Sequence, residues 1–218
     1  RYGWTDMPAD SGTLAPEARR LGGGMIARVA GLLQASDSTL YVLDAGYRKI
    51  VAFGADGSLR RVIAGGEGEG PGEFERPTDL ALDGRGRLAV LDQGLGRDSF
   101  FTRTGEYAGL MSLPGPRYRL ASVGDTLWTT RLVEPGEATS LGDRWRLDGS
   151  LVDTLRALPE EDLAFGGGRR LASCPDGRVL VRVDRPGVWF AYEGGSWARR
   201  GSALHPDDEP PIVERGPG

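Results

Sequence analysis

The sequence has 218 residues, enough to bury a sizeable core as one domain, and 39% of them are hydrophobic. No apolar run reaches the length of a membrane helix, so no transmembrane segment is expected, and the formal net charge of −4 gives no general attraction for nucleic acid. The single cysteine excludes an internal disulfide bond. The single histidine, His205, lies in a proline-rich tail, which argues against histidine-based metal sites and a Ser-His-Asp triad.

The N-terminal residues 1–24 are interrupted by Pro8, Pro16 and a run of three glycines, and they predict an irregular arm or a closing strand. The C-terminal residues 205–218, rich in proline and acid, predict a second arm. Residues 1–218 are otherwise expected to form one domain. The chain begins at Arg1 without a visible signal peptide, so removal of a leader or of a larger N-terminal part is an open alternative.

The first full unit spans residues 25–63 and contains four predicted strands, at 26–34, 40–43, 49–53 and 59–63. The second unit, 78–113, has hairpin signals at Asp83-Gly84 and Thr104-Gly105. The third, 118–158, has a predicted second strand at 127–130. The fourth, 170–204, has apolar runs at 179–183 and 188–192.

Each unit turns its outer hairpin at a glycine: Gly57, Gly105, Gly149 and Gly195. These glycines are about 44 to 48 residues apart, and four strands per period with a turn at a fixed phase is typical of propeller blades. The predicted fold class is therefore an all-β propeller of four-stranded blades. Four blades are clear, and the number of blades in the ring is left open between four and six.

One motif occurs twice. Gly-Pro-Gly-Glu-Phe at 70–74 is followed by Pro77, Asp-Gly-Arg-Gly at 83–86, Val-Leu-Asp at 90–92 and Arg97, and the preceding unit has Tyr-Val-Leu-Asp at 41–44 with Lys49. Over residues 40–113 these features resemble the NHL-repeat β-propeller family, which often has six blades. That family often has Asn three residues after the Asp, where this chain has Tyr47 and Leu95. The resemblance implies a propeller fold and protein partners more than small molecules.

Propellers bind at the face that is built by the connectors between blades and by the loops between second and third strands. In this chain those segments are 44–48, 65–77, 92–98, 114–117, 131–144, 159–168 and 184–187. The candidate partner-binding residues on this face are Tyr47, Arg48, Arg97, Arg131, Glu134 and Glu137.

Two acid–base pairs, Asp44 with Lys49 and Asp92 with Arg97, have the same spacing. One interpretation is structural, with the Asp capping a loop and the cation bracing it. The other is a repeated pair that faces a ligand near the ring axis. The tryptophans are expected in the core between blades, although Trp145 and Trp197 are placed on outer strands and could instead form a contact patch.

No cofactor and no catalytic residue are expected. The glycine-rich stretch 65–72 lacks a phosphate-loop pattern and a following helix, so it is interpreted as a flexible connector. A Ca²⁺ site built only of carboxylates remains possible, since Ca²⁺ takes oxygen ligands. Propeller enzymes with such sites usually add Asn or His ligands, which this chain lacks at the ring.

We therefore expect a non-catalytic, protein-binding or scaffolding propeller. It would act in the periplasm or outside a bacterial cell, as an accessory subunit that stabilises a larger extracytoplasmic or membrane-associated assembly. Two alternatives remain open: a Ca²⁺-dependent enzyme of the lactonase or lyase type, and a sensor of a small ligand or glycan. The sensor would show exposed aromatic side chains on the loop face.

Overall fold

The computed structural model describes residues 25–131, 140–156, 170–174, 178–182, 188–193 and 196–202. Within these residues the structure is all β, with no helix, and sixteen strands form four antiparallel sheets. The first two sheets contain β1 Val29–Gln34, β2 Leu40–Asp44, β3 Lys49–Phe53, β4 Leu59–Gly65, β5 Pro77–Leu82, β6 Leu88–Asp92, β7 Arg97–Phe101 and β8 Tyr107–Ser112. The last two contain β9 Arg117–Val123, β10 Thr126–Arg131, β11 Ser140–Arg146, β12 Leu151–Arg156, β13 Arg170–Ser173, β14 Val179–Arg182, β15 Val188–Glu193 and β16 Ser196–Ser202.

Each sheet is one blade whose strands follow one another in chain order from the inner edge to the outer edge. The inner strands are neighbours in the order β1, β5, β9 and β13, which places blades 1 to 4 side by side. Among the described strands no comparable contact joins β13 to β1. The expected all-β propeller of four-stranded blades is confirmed, and four blades are described.

The core between blades 1 and 2 is apolar. Leu43 and Ile50 of blade 1 face Leu88 and Val90 of blade 2, and all four side chains are fully buried. The connector between the blades adds Phe74, whose ring packs edge-on to Phe101 with the ring centres 5.9 Å apart. Burying a side chain of this size stabilises the fold by about 1.5–3 kcal/mol. Strands that are covered on both faces therefore have nearly continuous apolar sequences.

The core between blades 2 and 3 decides between the two interpretations of Trp145. Trp145 lies on β11, the third strand of its blade, and is buried with Leu91, Phe100 and Leu127. Its indole N–H donates a hydrogen bond of 3.0 Å to the hydroxyl of Thr129. Trp145 therefore belongs to the core and not to a surface patch. The side chain of Trp197 is outside the described part of the structure.

The predicted strand bounds agree with the observed ones to within a few residues at each end. Gly57, Gly105 and Gly149 adopt the positive φ angles that their hairpins require. The fourth glycine, Gly195, lies outside the described residues, as do the two predicted arms at 1–24 and 205–218.

Blades 2 and 3 also meet at their inner hairpins, which gives a prediction about packing. A methyl group at Gly84 would lie 2.0 Å from the carbonyl oxygen of Gly124. We expect Gly84→Ala to lower the free energy of unfolding by about 1–3 kcal/mol, the usual range for overpacking. The neighbouring exposed substitution Arg85→Ala is the control. Equal urea midpoints for the two variants would contradict the close approach of the hairpins.

Candidate functional site

One end of the blades is built by the loops between second and third strands and by the connectors between blades. We call residues 45–48, 66–76, 93–96 and 113–116 the loop face. Backbone hydrogen bonds join these segments: Gly66 N–H donates to the Arg48 carbonyl, and Gln93 N–H donates to the Arg76 carbonyl. The loop face is therefore a connected surface and not a set of separate loops.

Asp44 ends β2 and is completely buried. Its carboxylate accepts four backbone N–H groups at 2.9–3.2 Å: two precede β1, from Ala27 and Arg28, and two belong to the β2–β3 loop, from Gly46 and Tyr47. Burial alone would raise the pKa of Asp44, but the four N–H groups outweigh it and the pKa is lower than usual.

Asp92 has the same structural role in blade 2. Its carboxylate accepts the N–H groups of Glu75 and Arg76 before β5 and of Leu95 in the next loop, at 2.8–3.1 Å. The structural interpretation of the two repeated aspartates is thus confirmed. Because both are fully buried, they do not face a ligand.

The cations next to these aspartates bind other groups. The Arg97 guanidinium donates to the carbonyls of Glu69, Gly70 and Glu73 at 2.8–3.4 Å and so holds the glycine-rich connector in place. This connector was interpreted from its sequence as flexible, and the structure instead fixes it at several points. The Lys49 ammonium lies 4.8 Å from the centre of the Tyr47 ring.

Among the predicted partner-binding residues, Tyr47 and Arg48 belong to the loop face, and the Arg97 guanidinium reaches its glycine-rich connector. Arg48 donates to the Glu75 carbonyl at 2.9 Å and forms an ion pair of 3.2 Å with Glu67. Tyr47 is 55% exposed, so its ring is presented to solvent. Glu134 and Glu137 are outside the described residues.

The remaining candidate, Arg131, ends β10 at the register position that Asp44 and Asp92 occupy in the first two blades. Its guanidinium makes two hydrogen bonds, of 2.8 and 2.6 Å, to the buried carboxylate of Asp143. The same carboxylate forms an ion pair with the buried Arg117. Arg131 therefore belongs to an ionic cluster within blade 3, formed with Arg117 of β9 and Asp143 of β11.

Asp98 of β7 borders this cluster, and sequence reasoning missed it. Its side chain is fully buried, and neither of its oxygens has a hydrogen-bond partner in the described part of the structure. Burial raises the pKa of Asp98 well above its usual value, the nearby Arg117 opposes that rise, and Asp79 adds to it. The available signal was an acid within the strand sequence Arg-Asp-Ser-Phe-Phe at 97–101, two residues before Phe100 and so on the same face of the strand.

The described residues contain no group of three or more acidic, histidine or cysteine side chains placed to hold a metal ion. Nor do they include a helix with the length and apolar character needed to cross a membrane.

The comparisons with known proteins support the architecture. The chain is similar to a protein from Bacteroides fragilis that is described as exported, at 12% identity and a TM-score of 0.64, over 79% of this chain and 49% of that one. It is similar to streptogramin B lyase at 12% identity and a TM-score of 0.55, over 81% and 55% of the two chains. A chain of the nidogen/laminin complex matches at 13% identity and a TM-score of 0.57, over 79% and 64%.

The chain is a β-propeller. At these identities the likeness shows the fold alone, and the chain spans between about half and two thirds of the length of these solved structures. No family model and no curated protein matches the chain, so the resemblance to the NHL-repeat family stays a prediction.

The buried carboxylate of Asp44 leads to a prediction about stability. Because the pKa of Asp44 is lowered in the fold, its stabilising effect is present above pH about 4 and is lost as the pH falls through that lowered pKa. In Asp44→Asn an amide NH₂ would replace one accepting oxygen. We expect a loss of about 2–3 kcal/mol in urea unfolding at pH 7. The exposed turn residue Asp56 provides the matched control, Asp56→Asn, and equal losses in the two variants would be evidence against the buried network.

Asp98 leads to a second prediction, with the opposite dependence on pH. Because its pKa is raised in the fold, folding takes up a proton, and stability is lost as the pH rises from the ordinary carboxyl pKa of 3.8 to the raised value. The loss of folding stability is up to about 1.4 kcal/mol per pH unit. Asp98→Asn should therefore gain stability relative to the wild type between pH 5 and pH 7, measured by urea unfolding. The exposed control Asp125→Asn should show no such trend, and a constant difference for Asp98→Asn would contradict the assignment.

Proposed function

We propose that this propeller is a non-catalytic protein-binding module. It acts as an accessory subunit that stabilises a larger extracytoplasmic or membrane-associated assembly, and it binds its partner through the loop face. The observation that carries this proposal is the presentation of Tyr47. Its ring is 55% exposed, while the backbone beneath it is fixed by a fully buried carboxylate.

Rigid presentation of an aromatic ring favours binding to a protein. Tyrosine supplies a large contact area with two side-chain torsions to order, and a fixed loop loses little further freedom on binding. The Tyr47 N–H bonds to Asp44, and the neighbouring Arg48 bonds to the connector at Glu75. This part of the loop face is therefore preorganised for binding.

The structural neighbours are compatible with this proposal. One of them is described as an exported protein, and one belongs to a complex of nidogen with laminin. Export of a neighbour favours an extracytoplasmic location for this chain, and the laminin complex favours a protein partner. These inferences rest on fold alone, which many functions share.

A second candidate is a Ca²⁺-dependent enzyme of the lyase type, and the similarity to streptogramin B lyase favours it. It requires bound Ca²⁺ near the ring axis. A thermal unfolding midpoint that rises with added CaCl₂ and returns on chelation would support the enzyme, since a ligand that binds the folded state stabilises it. A sensor of a small ligand or glycan is also compatible with the exposed ring of Tyr47.

The proposal predicts the behaviour of the protein in extract from its own source. With and without mild detergent, the wild type should migrate with a large complex, and Tyr47→Ala should shift most of the protein toward the free monomer. Loss of a central aromatic anchor commonly weakens an interface by about 2 kcal/mol or more, which is roughly a thirtyfold change in Kd. Native gels of the extract measure the migration of the wild type and of Tyr47→Ala.

The matched control is Leu151→Ala, which truncates a 48% exposed residue on the outer strand of blade 3, beside its outer hairpin. This variant should stay in the complex. Migration of the wild type as a free monomer in both extracts would overturn the accessory-subunit role.

A further inference from the structure

A groove of about 560 Å³ runs between the outer strands of blades 1 and 2. One wall is β4 of blade 1, and the other is the outer hairpin of blade 2. One end of the groove opens at the loop face, beside the glycine-rich connector. The residues that give the groove its chemistry are Tyr47, Lys49, Val62, Pro71, Phe101 and Tyr107.

The backbone edge of β4 forms one side of the groove. Val62, Ile63, Ala64 and Gly65 line it in succession. The pairing of β4 with β3 skips Ile63 between Val62 and Ala64, so β4 bulges there and all four residues border the groove. Within the described residues β4 pairs only with β3, which leaves this edge with unpaired backbone groups.

The walls of the groove carry exposed apolar side chains. Val62 is 53% exposed and Tyr107 is 36% exposed, although both are large apolar side chains. The Tyr107 ring is held edge-on to Phe101, with the ring centres 5.8 Å apart. Exposed apolar side chains that lie together on one surface mark sites of interaction.

Lys49 supplies a positive charge at the loop-face end of the groove. It faces Asp44 across the strand pair, but the Asp44 carboxylate is already occupied by backbone N–H groups. Within the described residues Lys49 forms no ion pair, and its ammonium rests on the Tyr47 ring. A carboxylate brought into the groove would therefore meet a cation that no acid of these residues neutralises.

We propose that this groove binds an extended peptide segment of a partner protein. The segment pairs with the free edge of β4, places apolar side chains against Val62 and Tyr107, and brings an acidic side chain to Lys49. Addition of a strand to a sheet edge draws affinity from backbone hydrogen bonds and specificity from the side-chain pockets. This inference rests on the proposed function and names the chemistry of its partner.

The test uses the full chain and a synthetic library of ten-residue peptides in which apolar and polar residues alternate. Each peptide is made with Glu, Gln or Lys at one central position, and binding is measured by fluorescence polarisation. The wild type should bind a subset of the peptides in the order Glu, Gln, Lys. Methylation of alternate backbone nitrogens in the bound peptides should abolish binding, because it removes the hydrogen bonds to the strand edge.

Two variants separate the contributions of charge and wall. Lys49→Gln should remove the preference for Glu over Gln, and Val62→Asp should weaken binding at least tenfold. Leu151→Asp makes the same change at a similarly exposed position on the outer strand of blade 3, and it should bind like the wild type. Equal thermal midpoints for Val62→Asp and Leu151→Asp confirm that both variants fold.

The inference is overturned if no peptide binds at about 1 mM, which corresponds to roughly −4 kcal/mol. It is also overturned if Leu151→Asp loses as much affinity as Val62→Asp, or if backbone methylation has no effect. A concentration-dependent dimer of the wild type that Val62→Asp abolishes would show that the groove is filled by a second copy of the chain, and this too would overturn the inference.

Failure of the groove and failure of the proposed function give different results. If Val62→Asp still migrates with the large complex in source extract, the groove is not the docking site, and the accessory role stands. If the wild type is a monomer in that extract, the accessory role fails whatever the peptides do.

Discussion

The loop face depends on one interaction, a buried aspartate that accepts backbone N–H groups from two directions. Asp44 and Asp92 each end the second strand of a blade, and each binds both the entry of its own inner strand and the loop that follows. A blade has its inner strand at one edge and its loops at one end, so a single carboxylate joins the parts that would otherwise move separately. The lowered pKa of Asp44 keeps that carboxylate ionised, and hence accepting, over the whole neutral range.

Blade 3 departs from this arrangement, and the departure explains the buried charges beside it. Arg131 stands where the first two blades have aspartate, so the network is rebuilt around Asp143, which is shared by Arg131 and the buried Arg117. Asp98 is left beside that network without a hydrogen-bond partner in the described residues. Burying a polar group without a partner is costly, so the Asp98 carboxyl lowers the stability of the fold beside this network.

The sequence was most informative where local patterns repeat. Alternating and apolar runs gave the strands, and glycines at a fixed phase gave the outer hairpins, because both signals are set by neighbours in the chain. The structural role of the repeated Asp was also accessible from its spacing. The ionic cluster was not, since Arg117, Arg131 and Asp143 lie on three strands of blade 3 and meet only through the strand register, which one sequence does not show.

The same limit applies at individual residues. For Trp145 the sequence left two interpretations open, burial between blades and a surface patch, and the structure places it in the core, on the third strand of its blade. The glycine-rich connector was predicted to be flexible because glycine has little preference for one backbone conformation. Its rigidity comes from Arg97, which lies about 25 residues further along the chain. The groove beside β4 was not visible either, because it is formed by strands of two blades.

The most direct test of the protein-binding role is a photo-cross-link made in the source cells. A benzophenone amino acid would replace Tyr47 in one variant and Leu151 in the other, since both positions are exposed to a similar extent. The account predicts a discrete cross-linked product from position 47, containing a second protein, and none from position 151. Equal labelling from both positions, or no product from position 47, would contradict the claim that the loop face binds a partner.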